Sequence, residues 1–219
     1  MEFLCSSGSP QHHNCLALCY SVKTKNMHGF LLQSKIEPNR KARYISSVGD
    51  LGGHERRHFE EGRPIQGWKP HAWIKSTSPR EDGPTDDGLA NHFSLLIFSE
   101  RLRIALDDAC INGIQYLPIR ILKSDGTEHL NYSIANIINE ISILNRDRPH
   151  SPLLAEDCFG EGRAWDIYKP KIKEEALRIF DIIRIGDLPE AIYVSQKFVD
   201  VWRDHKLTGY AFKKVRLSP

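Results

Sequence analysis

The sequence predicts an α+β domain: a mixed or mainly antiparallel sheet carrying two Ser-capped helices in a repeated strand-helix-strand unit. Three observations lead there. The stretch "LIFSERLRIALDDACINGIQYLPIRI" runs strand, serine, helix, glycine, strand. "IYVSQKFVDVWRDHKLTGYAFKKVRL" runs the same course, and Ser195 to Gly209 repeats the separation of Ser99 to Gly113. Between the two units, "GIQYLPIRILKSDGTEHLNYSIANII" reads as two apolar strands around a polar turn whose Asp-Gly pair supplies the reversal.

The elements follow in chain order. Residues 1–26 have no clear period and hold Cys5, Cys15 and Cys19, so they read as a disordered or mis-started extension, dispensable for folding. A single domain is expected over 27–219. "MHGFLLQSKIE" begins it like an opening strand, and "ARYISSV" continues a weak alternation. A charged, glycine-rich passage leads to "GWKPHAWIKST", a strand with an early break at Pro70. The loop "SPREDGPTDDG" has the Pro, Gly and Asp density of solvated chain.

"LLIF" then reads as a buried strand, and Ser99 caps a helix reaching about Cys110. After the strand pair and a polar loop over roughly 145–162, "ALRIFDIIRIG" and "EAIYV" read as strands. Ser195 opens the second helix, and "GYAFKKVRL" closes the chain as a strand. The apolar residues of the two units fall in register: Leu102 with Phe198, Ala105 with Val201, Leu106 with Trp202, Ile111 with Leu207. Each serine offers an oxygen to orphan N–H groups at a helix start, and each glycine relieves the backbone where the chain returns to a strand. These are structural caps and turns.

Composition narrows function. The chain of 219 residues is 40% hydrophobic and 26% charged with a net charge of +2, the balance of an ordinary folded domain. No strong field draws it to nucleic acid, nor is it an acidic mimic of DNA. Five cysteines, an odd number, make a poor disulfide framework, and "CLALCYSV" is too short to span a bilayer. The expectation is a cytoplasmic protein with neither nucleic acid nor membrane as partner; oligomeric state stays open.

The sharpest chemical motif is His54-Glu55-Arg56-Arg57-His58, which matches HExxH. On an α-helix that spacing sets two imidazoles on one face to bind zinc, with the glutamate as base. Here glycines and Pro64 leave barely two turns, apolar residues to bury such a helix are missing, and two arginines repel a dication. A solvated charged turn is the favoured reading. His12, His13, Cys15 and Cys19 fit no common zinc spacing, and no cofactor or metal is expected. Trp68 and Trp73 flank a loop and are the candidate interface anchors, with Asp86 and Asp87 on the neighbouring acidic loop to steer a partner.

From Leu96 onward, an ordered set of short features carries a resemblance. These are Ser99-Glu100-Arg101-Leu102 after a strand, Tyr116-Leu117-Pro118-Ile119 in the next and Ala135-Asn136 in its partner. Ile192-Tyr193-Val194-Ser195 and Leu207-Thr208-Gly209-Tyr210 complete it. Together they resemble immunity protein family eleven, a myxococcal-type family of bacterial polymorphic-toxin immunity proteins. The match is good over about 89–217 and looser over 27–88, where "FEEGRPI" is similar to a family segment.

The resemblance implies an α+β domain that binds and neutralises a cognate toxin, often one delivered by contact-dependent or type VI secretion and encoded by the adjacent gene. It implies no catalysis. The alternative is an enzyme, either a zinc-dependent hydrolase through HERRH or a protein that reverses toxin damage.

Overall fold

The computed structural model describes residues 28–34, 44–76, 86–123, 125–141, 172–185 and 188–218. The expected extension at 1–26, the loop at 145–162 and four of the five cysteines lie outside these residues. Eleven strands are named among them, β1 (Gly29–Ser34), β2 (Tyr44–Val48), β3 (Trp73–Ser76), β4 (Ala90–Asn91), β5 (Ile97–Ser99), β6 (Ile114–Leu122), β7 (Glu128–Ile137), β8 (Glu140–Ile141), β9 (Ile182–Ile185), β10 (Leu188–Ser195) and β11 (Tyr210–Val215). Three helices, α1 (Glu100–Asp108), α2 (Glu174–Ile179) and α3 (Gln196–Asp204), complete the α+β fold.

The strands form two sheets, one of order β11-β1-β10-β9-β8 and one of order β4-β2-β3-β6-β7-β5. Pairing is mostly antiparallel, with β2/β4, β3/β6 and β8/β9 parallel. The side-chain period of two sorts each strand between two cores. In β10, Ile192 and Val194 enter a central core while Ala191 and Tyr193 enter one covered by α2. In β6, Leu117, Ile119 and Ile121 face a core closed by Leu51, Phe59 and Ile65, while Tyr116 packs toward the central one. That central core is filled by α1 and α3 together with one face of each sheet.

Two sequence expectations change. "ALRI" lies in α2, not in a strand. An apolar run this short cannot be assigned by period alone. Its helix is favoured by Glu174 and Glu175 in the first turn, by the Arg178–Glu174 pair at 3.0 Å, and by Ala176 and Leu177 turned inward. The strand at "GWKPHAWIKST" is also shorter than expected and begins only at Trp73.

The repeated unit is built as the sequence implied. Ser99 and Ser195 hold extended backbone, and their Oγ atoms accept from Leu102 N–H at 3.1 Å and Phe198 N–H at 3.2 Å. Both helices end alike. Cys110 (φ 53°) and Lys206 (φ 49°) take the left-handed conformation, and Ile111 and Leu207 donate back to Leu106 and Trp202 carbonyls. Replacing either capping serine with alanine should cost about 0.5–2 kcal/mol, read by chemical denaturation.

Proline in the middle of β6 has a local explanation. A proline cannot donate to a ladder, so it needs a position where no neighbour asks for its N–H. β3 pairs with β6 only at Arg120–Leu122, leaving the earlier part of that edge open. The chain from 65 to 68 closes it instead. Gln115 accepts from Ile65 N–H and donates to Ile65 O, both at 2.8 Å, and the Trp68 indole N–H donates to Pro118 O at 2.9 Å. Asn136, fully buried, adds a bond from Nδ2 to Arg63 O at 2.8 Å. The family-like "FEEGRPI" segment is thus fastened to the family-like strand pair.

Candidate functional site

A trough runs along α1, over the hairpin of β6 and β7. It consists of two cavities of about 690 and 540 Å³ that share Glu100, Asn131 and Tyr132 in their walls. The larger is lined by Arg101, Ile104 and His205; the smaller by Arg103, Tyr116, Pro118 and Arg120. Its floor is irregular for a stated reason. The β6/β7 register shifts between Ile119 and Ile121, making Asn131 the extra residue of a bulge, with φ 72°. Bulges bend a strand and re-aim its side chains.

The charges of the trough are partly spoken for. Arg103 pairs with Asp107 at 3.0 Å and Glu100 at 3.5 Å, and Arg120 pairs with Glu128 at 3.0 Å while donating to His71 O. The Tyr116 hydroxyl is buried, and burial, with the Asp107 carboxylate adding to it, pushes its pKa well above the ordinary tyrosine value. It stays a neutral hydroxyl at any physiological pH.

Asp86 and Asp87 need correction. The expectation placed them on a solvated loop, but they are only 4% and 5% exposed. Asp86 O accepts the Tyr132 hydroxyl at 2.8 Å. The Asp87 carboxylate accepts from Ser99 Oγ at 2.9 Å, Arg101 at 3.0 Å and Thr208 N–H at 3.0 Å. Its charge faces inward, so it braces a helix cap where long-range steering was expected.

The other unit repeats this brace. Ser195 Oγ donates to Asp181 at 2.7 Å, and Lys197 reaches the same carboxylate at 3.1 Å. Each cation also crosses to the far end of the opposite helix: Arg101 donates to the carbonyls of His205 and Lys206, and Lys197 to Cys110 O. Two capped helices are thereby clasped reciprocally. The sequence carried the signal, a cation two residues after each capping serine, but the distant aspartates hid its purpose.

Trp68 is half-buried, with its N–H already used, its ring stacked on His54 at 5.9 Å and set edge-on to Phe59. Trp73 is also half-buried, pairs in register with Arg120 and lies so close to Gly49 that a Cβ there would meet its ring at 2.4 Å. Pro70, which lies between the two tryptophans in sequence, lines the smaller cavity.

HERRH forms no zincin helix. Only Arg56–Phe59 is helical, as one 3-10 turn, and the His54 and His58 rings meet edge-on at 5.8 Å. His58 Nδ1 accepts the Glu55 N–H at 3.1 Å, and Phe59 is buried beneath. Among the described residues no group of three or more His, Cys, Asp or Glu converges as a metal site. Replacing His54 and His58 together with alanine should leave the midpoint of thermal unfolding within about 3 °C, since both engage mainly exposed groups. A loss of one bound zinc per chain in that variant, measured by metal analysis, would contradict this account.

Near this turn lies the most deeply buried charge among the described residues. Arg184 is 1% exposed; burial pulls its guanidinium down to about 10, opposed by Glu60 and Glu140. Gly62 (φ 62°) sits against the Glu140 side chain, so the segment after HERRH is seated between the sheets.

No helix among the described residues is long and apolar enough to cross a membrane. No curated protein matches the chain. The family model described as Immunity protein family (Imm11) matches residues 39–216, a span that takes in most of the 27–88 segment whose resemblance is looser. Spanning most of the sequence and both clasped units, that match makes the chain a member of the Imm11 immunity protein family.

Proposed function

We propose that this protein protects its cell by binding a cognate secreted toxin in a stoichiometric complex. The observation that carries the reading is family membership over residues 39–216, which implies a toxin as partner and suggests a non-enzymatic role. The residue chemistry supports it: the side chains that looked catalytic or steering in sequence are spent on caps, turns and the seam between sheets. Delivery by a type VI or contact-dependent system, encounter in the cytoplasm and a toxin encoded by the adjacent gene belong to the same proposal. So do Trp68 and Trp73 as toxin-binding anchors, each half-buried.

An ordinary interface of about 1,600 Å² reaches tight binding through a few well-packed anchors, not through area. The test is co-purification of the tagged full chain with the inactivated toxin domain encoded beside its gene. It is joined to survival of cells that express the active toxin. Retention of the toxin and rescue of growth are expected; rescue without any complex would replace the binding reading with an enzymatic one.

A further inference from the structure

The edge of a sheet offers a row of backbone N–H and C=O groups that can recruit another strand. Among the described residues the two sheets end on β11, β8, β4 and β5. Three of these edges are short or covered. β4 and β8 run for two residues each. Beside β5, Leu89 N–H donates to Ile97 O, Ser99 N–H donates to Asp87 O, and Gly88 bridges Phe98.

β11 is the exception. It runs for six residues, pairs with β1 along its whole length, and meets no strand among the described residues on its other side. Its start is closed, because Gly88 packs against Gly209 and the Tyr210 ring. From Ala211 to Val215 the backbone makes no bond to a described residue outside the β1 ladder.

The side chains decide what can add there. Lys213 and Lys214 project from opposite faces of the strand, and Arg216 follows it; all three are exposed. Lys214 Nζ lies 3.2 Å from His28 Nε2, and none of the three enters an ion pair among the described residues. The arginines of the trough, by contrast, are all paired. Over 203–216 the chain carries Arg203, Lys206, Lys213, Lys214 and Arg216 against Asp204 alone, although its net charge is only +2. Lysines on an edge strand guard it against copies of itself. Two β11 strands side by side would bring two sets of Lys213 and Lys214 together, and opposed like charges are destabilising. The same lysines favour a strand that carries carboxylates.

We infer that the open edge of β11 contacts the toxin and takes an extended acidic segment of it as an added strand. The inference rests on the immunity reading and specifies its geometry. Backbone bonds from Ala211–Val215 hold the added strand, and Lys213 and Lys214 select carboxylates on its two faces. Trp73 lies on β3 of the other sheet, so mutation separates the two candidate contacts.

The experiment joins two measurements on the full chain and the inactivated toxin domain encoded beside its gene: affinity by calorimetry, and amide hydrogen exchange with and without toxin. The double variant Lys213→Glu/Lys214→Glu should weaken binding by about tenfold or more. Both lysines are exposed, so its melting temperature should not move. Lys123→Glu, at the β6/β7 turn, is the control and should bind like the original. Amides within Ala211–Val215 that exchange freely in the unbound protein should become protected in the complex. If the original binds, while the double variant binds equally well and β11 gains no protection, the edge is wrong and the immunity reading stands. Weaker binding without protection at β11 would overturn strand addition, and protection with undiminished binding would overturn the acidic occupant. If the original does not bind, both readings fall together.

Discussion

Asp87→Ala is expected to remove on the order of 3–4 kcal/mol of folding stability, roughly 6–16 °C in melting temperature for a domain of this size. One carboxylate with 5% exposure accepts from the Ser99 hydroxyl, the Arg101 guanidinium and the Thr208 N–H. Its loss leaves the buried Ser99 hydroxyl and the half-buried Thr208 N–H without this acceptor and frees Arg101 from the carboxylate beside it, leaving only its bonds to the His205 and Lys206 carbonyls. Bonds to a charged acceptor contribute about 1.5–3 kcal/mol each, and unsatisfied buried partners add a penalty. Arg101 is itself 56% exposed, so its pairing adds little through solvent-screened charge. Asp87→Asn should lose about half as much, because an amide oxygen still accepts one or two of these bonds. Urea unfolding of the three proteins gives the comparison; an Asp87→Ala loss below about 1 kcal/mol would mean the clasp is ornamental.

Gly209→Ala is expected to be the more damaging of the two glycine substitutions, at about 3–5 kcal/mol. Gly209 holds φ 108°, which L-residues avoid, and an added Cβ would lie 1.9 Å from the Gly88 carbonyl oxygen. That oxygen belongs to backbone tied to Thr208 and bridged to Phe98, so it cannot step aside without disturbing both sheets. Gly113, with φ 91°, would meet Asn139 Nδ2 at 1.8 Å, the end of a side chain that can rotate at the cost of its bond to Ile182 O. Gly113→Ala should therefore cost about 1–3 kcal/mol. Equal losses at the two sites, measured by the same unfolding curves, would show that backbone strain alone sets the effect.

The repeated unit was legible in the sequence because its parts are local. A capping serine, an apolar stripe and a returning glycine each act within a few residues, and their register repeats along the chain. What joins the units was not legible, because Asp87 and Asp181 reach their serines from outside the repeat. Asp86 and Asp87 were misread for a related reason: they end a stretch whose Pro, Gly and Asp content looks solvated, and composition does not reveal which end enters a core. α2 was misread because a short apolar run serves strand and helix equally.

The trough was invisible for a different cause. It is lined by side chains of α1 and of the β6/β7 hairpin with its register shift, segments far apart in the chain that only the fold brings together.

The central claim is neutralisation by occupation, and titration of toxin activity tests it most directly. Purified toxin domain from the adjacent gene, held at a fixed concentration far above the dissociation constant, receives increasing amounts of this protein. The account predicts a linear fall in toxin activity that ends at about one immunity protein per toxin. Complete protection at a small fraction of that ratio, growing with time of incubation, would mean turnover and would contradict it.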